Sequence, residues 1–223
     1  MNSIEDSVKR VQEKIGNACA RAGRNPSGVR LIAVTKTVDQ ERIQKAVSCG
    51  IKDFGENYVQ EAKKKIEELP RGLTWHMIGY IQTNKIKFIP KLFHYIHSAD
   101  RWEVLERLDQ YEKPLKVLFE MNISGESSKH GTTEEGLKKI LEKIHTLKYI
   151  KPVGLMTMAP YTEKSEGVRN IFRTLREILS RVNREFNLDM NELSMGMSSD
   201  FEVAIEEGAT MVRIGTALFG ERQ

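Results

Sequence analysis

The sequence predicts an α/β fold, a single (β/α)8 TIM barrel with an extra N-terminal helix. Three observations carry this. From Leu31 onward eight short apolar runs alternate with amphipathic helical patterns, and an unbroken β/α alternation means a parallel sheet covered by helices. Eight such units in 223 residues suit closure into a barrel. An open doubly wound sheet that bound a dinucleotide would need a G-x-G-x-x-G turn after its first strand, and none follows Leu31 to Lys36.

The leading helix runs from Ser3 to about Ala22. Ile4, Val8, Val11, Ile15, Ala18 and Ala22 recur at spacings of four and three with charges between them. Gly23 and the cluster Asn25-Pro26-Ser27-Gly28 stop it. The first strand, Leu31-Ile32-Ala33-Val34-Thr35-Lys36, has period 2, so Ile32, Val34 and Lys36 share one face and the ammonium follows an apolar stripe inward. A helix through Ile43, Ala46 and Val47 follows, with Asp39 as its cap and Gly50 as its end. Strand and helix then alternate as 51–54 and 59–69, 73–78 and 83–92, 93–97 and 101–110, 115–123 and 134–147. The pattern closes with 150–156 and 163–186, 192–194 and 200–207, and 211–214 followed by a short helix from Thr216. No linker interrupts it, so residues 1–223 read as one domain, with 1–28 the leading helix and turn and 29–223 the barrel.

Composition narrows the function classes. With 39% hydrophobic and 30% charged residues the chain reads as an ordinary globular protein rather than a disordered or membrane one. No apolar run reaches the roughly 20 residues of a membrane span, and the acidic start Met1-Asn2-Ser3-Ile4-Glu5-Asp6 is unlike a signal peptide, so the expected location is cytoplasmic. Cys19 and Cys49 form neither a disulfide framework nor a metal spacing. Lys63-Lys64-Lys65 is followed by Glu67 and Glu68 and reads as a solvated helix face, so nucleic acid is not expected as a partner.

In such barrels the chemistry sits at the C-terminal ends of the strands, and phosphate often binds the loops after strands 7 and 8. Strand 1 ends in Lys36. Burial of a lysine leaves a neutral amine able to form an imine with a carbonyl; the alternative is a lysine reaching into solvent. After strand 7 comes Ser194-Met195-Gly196-Met197-Ser198-Ser199-Asp200, and after strand 8 Gly215-Thr216, each entering a helix whose free N–H groups suit a phosphate or serve as plain caps. Strand 8 closes onto strand 1, which puts both loops beside Lys36. Arg213 shares the inward face with Met211. It has either a ligand nitrogen or a rim carboxylate such as Glu56 as its partner. A phosphate, an aldehyde for Lys36 and an aromatic nitrogen for Arg213 together describe pyridoxal 5'-phosphate (PLP).

Ala33-Val34-Thr35-Lys36-Thr37, Phe54-Gly55-Glu56-Asn57-Tyr58-Val59-Gln60-Glu61, Trp75-His76-Met77-Ile78-Gly79, Gly154-Leu155-Met156, Leu193-Ser194-Met195-Gly196-Met197-Ser198 and Val212-Arg213-Ile214-Gly215-Thr216 closely resemble the pyridoxal phosphate homeostasis proteins of the YggS/PROSC type. These are relatives of the alanine racemase N-terminal barrel. The resemblance spans nearly the whole chain in order and spacing. It implies that Lys36 holds PLP as an imine, Arg213 faces the pyridine nitrogen, and Ser198, Gly215 and Thr216 hold the phosphate. It further implies that Asn57 lies near the phenolic oxygen, His76 supports Arg213 and Met156 packs close to the cofactor. Lys129, after strand 5, is either a mouth residue or a solvent lysine.

A guanidinium opposite the pyridine nitrogen cannot accept the pyridinium proton, so the ring would be a weak electron sink. Racemisation also needs a second base, which the resemblance places in a further domain of alanine racemases; this chain ends at Gln223, and only Tyr58, Tyr80 and Tyr161 fall in mouth loops. The expected function is therefore PLP holding in vitamin B6 homeostasis with little or no catalysis, in a monomer or weak homodimer that serves PLP-requiring apo-enzymes. The alternative is a PLP-dependent amino-acid racemase. A Schiff-base aldolase is a third reading, for which Lys151 sits at the wrong end of strand 6.

Overall fold

The computed structural model of the chain describes residues 3–125, 130–160, 162 and 164–221. Lys129 and Tyr161 lie outside the described residues. The strands β1 (Arg30–Val34), β2 (Asp53–Glu56), β3 (Thr74–Met77), β4 (Tyr95–Ala99), β5 (Leu115–Glu120), β6 (Ile150–Met156), β7 (Glu192–Ser194) and β8 (Met211–Ile214) form a closed barrel in sequence order. Every neighbouring pair is parallel, and β8 pairs β1 with Ile32 opposite Arg213. Outside it lie α1 (Ile4–Arg21), α2 (Gln40–Ser48), α3 (Val59–Glu68), α4 (Ile89–Leu92), α5 (Trp102–Asp109), α6 (Glu134–Leu141), α7 (Arg169–Phe186), α8 (Phe201–Glu206) and α9 (Thr216–Phe219).

Helix α1 forms as its sequence pattern requires. The Ser3 hydroxyl accepts the Asp6 N–H at 3.1 Å, Glu5 and Asp6 favour the positive end of the helix dipole, and Ile4, Val8, Val11, Ile15 and Ala18 are buried. That apolar stripe packs on α8, α9 and α2, so the extra helix covers the seam where β8 meets β1.

Three expected helices begin or end as 3-10 turns. Residues 83–92 split into a 3-10 segment, Thr83–Phe88, and α4, because Pro90 enters at the first turn of a new helix. Residues 134–147 split into α6 and the 3-10 turn Ile144–Thr146, and α7 is preceded by the 3-10 turn Ser165–Val168. Several strands are displaced from the expected bounds; β1 stops at Val34, which leaves Lys36 two residues past its end, in a turn. The apolar runs marked where chain is buried, and ladder bonding decides where a strand stops.

The main hydrophobic core fills the layer between barrel and helices. Inside the barrel the described residues form a small apolar cluster, Ile32, Tyr95, Leu118, Met156 and Met211. Much of the remaining interior is polar. Strand registers put Asp53, His76, Ser194 and Arg213 on the inward face with Ile32 and Met211, in place of the branched aliphatic layers usual for such barrels. Polar groups stay buried at tolerable cost only when hydrogen-bonded to one another, so this interior must be a network.

Candidate functional site

Lys36 is half-buried, and both residues flanking it are tied to β2 and α3. Thr35 donates its N–H to the Gly55 carbonyl at 3.1 Å and its hydroxyl to Glu56 Oε1 at 2.5 Å. Thr37, in the left-handed region at φ 61°, donates its N–H to Glu61 Oε1 at 2.6 Å. Lys65 joins these anchors: its ammonium donates to the Thr35 carbonyl at 2.5 Å, to Glu56 Oε1 at 2.7 Å and to Glu61 Oε1 at 2.7 Å. One expectation is corrected here and one alternative is excluded. Lys65 is buried rather than part of a solvated face, because it is the one lysine of its run that points from α3 back to the strands. Glu56 does not pair with Arg213: strand parity turns Asp53 and Gly55 inward and Glu56 outward, toward α3. Burial pushes the Glu56 carboxyl up from its usual range, against the pull of Lys65.

Across the β1–β8 seam, Gly215 and Thr216 line with Lys36, Thr37 and Val34 one cleft of about 1030 Å3. The loop after β7 is fastened to this edge. Ser198 Oγ accepts the Ala217 N–H at 3.1 Å, keeping its own proton to donate, and the Gly196 carbonyl accepts the Arg213 N–H at 3.0 Å. Thus Lys36, Ser198, Gly215 and Thr216 come together at one edge of the barrel mouth.

Arg213 lies deeper, 4% exposed, and donates through Nη1 to Ser194 Oγ at 2.6 Å and through Nη2 to the Thr157 carbonyl at 2.9 Å. Burial lowers it to about 10, partly offset by Glu120 and Asp200, so at neutral pH it is a cation. Met156 is fully buried in the interior cluster. Asn57, just past β2, has a buried Oδ1 with no hydrogen-bond partner among the described residues. Its backbone is pressed by Gly79: a Cβ there would lie 2.4 Å from the Asn57 carbonyl oxygen, so only glycine lets the ends of β2 and β3 approach this closely.

His76 makes no direct hydrogen bond to Arg213; it reaches it through His97 and Ser194, so the link between the two is indirect. Lys151 is exposed at the start of β6, the end of the barrel opposite Lys36. Tyr58 and Tyr80 are exposed by 60% and 43%, and Tyr80 stacks on His130 at 4.4 Å rather than reaching inward.

The sequence is similar over its full length to curated proteins. A pyridoxal phosphate homeostasis protein of Aquifex aeolicus (strain VF5) is 47% identical over 100% of both chains. The chain belongs to the pyridoxal phosphate homeostasis protein family. Its homologue of that name in Pseudomonas aeruginosa is 42% identical over 100% of this chain and 97% of its own. The family model described as alanine racemase, N-terminal domain, matches residues 7–223. PipY of Synechococcus elongatus PCC7942, solved with PLP bound, superposes with a TM-score of 0.82 at 34% identity, over 94% of this chain and 100% of that one. An alanine racemase from Corynebacterium glutamicum shares the fold, with a TM-score of 0.71 at 15% identity over 98% of this chain and 61% of that one.

The sequence reading of this homeostasis-family barrel passed over Asp53, His97, Ser194, Lys65 and Glu120. A signal existed for His97, an inward-parity histidine two residues after Tyr95 in an apolar strand; for Lys65 there was none. Glu120, on β5, is 3% exposed and is pushed up to about 7, chiefly by burial and further by Asp100, against the pull of Arg213. In the unfolded chain a glutamate ionises near pH 4.3, so between there and about 7 the folded state holds a proton that the unfolded state has lost. The Glu120 contribution to stability is therefore present at low pH, declines as pH rises through that window, and is flat above it. The decline amounts to about 4 kcal/mol. Urea unfolding at pH 5 and pH 8 checks this: Glu120→Gln should remove most of that fall, and an unchanged pH slope would show that Glu120 ionises normally.

Proposed function

We propose that this protein binds PLP covalently through Lys36, holds it with little or no turnover, and supplies it in vitamin B6 homeostasis. The observation that carries the reading is the shared cleft: a lysine amine and the Gly215-Thr216 turn line one cavity, with a buried guanidinium on the strand beside them. The donor set suits the cofactor. Thr216 and Ser198 offer hydroxyl protons to a phosphate, and Gly215 offers a backbone with no side chain in the way. Asn57 serves the phenolic oxygen by donating its amide N–H, Met156 packs close to the ring, and His76 acts on Arg213 at a distance.

When bound, PLP supplies an aldehyde that condenses with an amine and a ring able to accept electrons. Arg213 tempers the second property. A cation at the ring nitrogen keeps it unprotonated and weakens the electron sink, which favours holding over turnover. The names of the relatives and the PLP-bound PipY support the same reading. Handing the cofactor to apo-enzymes follows from a reversible covalent link at an open mouth.

Mixing the protein with PLP should produce a visible absorption band, and borohydride reduction with peptide mapping should place a pyridoxyl group on Lys36. Lys36→Ala should lose both. A band of wild-type strength in Lys36→Ala, or a label elsewhere only, would refute the assignment. Exchange of amino-acid α-protons in deuterium oxide at useful rates would replace holding by racemisation.

A further inference from the structure

A line of four hydrogen bonds crosses the barrel interior from its floor to Arg213. Asp53 Oδ1 lies 3.0 Å from His76 Nε2, His76 Nδ1 lies 2.9 Å from His97 Nε2, and His97 Nδ1 lies 2.8 Å from Ser194 Oγ. Arg213 Nη1 closes the line at 2.6 Å from the same hydroxyl. His76, His97 and Ser194 are fully buried, and the Asp53 side chain is 20% exposed at the strand end away from the mouth.

The two ends dictate the middle. An arginine can only donate and a carboxylate can only accept. Ser194 oxygen, accepting from Arg213, must give its proton to His97 Nδ1. His97 then carries its proton on Nε2 and donates to His76 Nδ1, and His76 carries its own on Nε2 and donates to Asp53. Every link is satisfied once with both imidazoles neutral, and burial lowers both histidines, which keeps them neutral. With the opposite tautomer, His97 would compete with Arg213 for the serine oxygen and strand the serine proton. Arg30 Nε, 3.7 Å from Asp53 Oδ1, places a cation beside the carboxylate at the floor.

We propose that Asp53, His76, His97 and Ser194 are positioning residues that work as a one-way donor chain, fixing the guanidinium of Arg213 for the ring nitrogen of the cofactor. This rests on the PLP reading above. Two of the five Arg213 N–H donors are committed, to Ser194 and to the Thr157 carbonyl, which sets the plane of the group. The residue at the far end of the chain, Asp53, therefore influences a ring it does not touch.

The test begins on the ligand-free protein, where nitrogen-15 NMR of labelled histidine reads the tautomers directly. His76 and His97 are both expected to be neutral and protonated on Nε2 at pH 7. In Asp53→Ala the His76 tautomer should become mixed, PLP affinity should fall about tenfold, the worth of one supporting hydrogen bond, and the visible band should shift while Lys36 still takes the borohydride label. Asp53→Glu, which restores an acceptor, should recover the band. Protonation of His97 on Nδ1 in the wild type, or wild-type affinity and band in Asp53→Ala, would overturn the chain. Failure of the wild type to take up PLP overturns the function reading together with this role, whereas normal uptake with the wrong tautomers overturns this role alone.

Discussion

Lys65→Met is expected to destabilise the fold by about 3–5 kcal/mol, the cost of removing one partner from a buried ion pair. The loss is large because the ammonium serves two carboxylates and a carbonyl at once while its side chain is only 10% exposed. Without it Glu56, with no exposed surface, keeps the Thr35 hydroxyl as its one side-chain donor among the described residues. Urea unfolding measures the change, and two further results identify the cause. Adding Glu56→Gln should recover part of the loss, since the unpaired charge is gone. Lowering the pH toward 5 should also narrow the gap, because the buried Glu56 carboxyl, already pushed up by burial, protonates. The same triad holds Thr35 and Thr37 on either side of Lys36, so Lys65→Met should also speed PLP loss.

Gly196→Ala is the second large effect, expected at about 2–5 kcal/mol. Gly196 has φ 91°, where a β-carbon is strained, and its Cβ would stand 2.6 Å from the Ala204 Cβ and 2.8 Å from the Phe201 Cα. Neither neighbour can swing aside, since one is a methyl on α8 and the other is its backbone, so the helix itself must shift; such overpacking costs about 1–3 kcal/mol. For a chain of this length each kcal/mol corresponds to about 2–4 °C in Tm. The shift should carry Ser198 away from Ala217, so PLP affinity should fall with Tm. A variant of unchanged Tm would mean that the loop accommodates the methyl without moving α8.

The order and type of the barrel elements were legible because each strand and helix buries a face, and burial is written in the periodicity of apolar residues. Lys36, Gly215 and Thr216 were legible for a related reason: closing eight strands makes the last a neighbour of the first, and the topology alone brings their ends together. The Arg213 pairing was not. Its inward face followed from parity, yet parity equally leaves Glu56 out, and only the registers show both facts together. That His76 reaches Arg213 only through two other side chains was not legible, because a sequence carries no distance across a barrel. The tautomer chain through His97 and Ser194 depends on four contacts between residues 19 to 97 apart in the chain, none of which has a local signature.

By itself, then, the sequence determined the closed barrel and the convergence of a lysine with two small-residue loops at its mouth, since both follow from local patterning and chain order. Tertiary structure alone decided what the polar interior does. Buried polar groups take the partners that geometry leaves within about 3 Å, whether from the next helix, as Lys65 for Glu56, or from other strands, as Ser194 for Arg213 and Asp53 for His76.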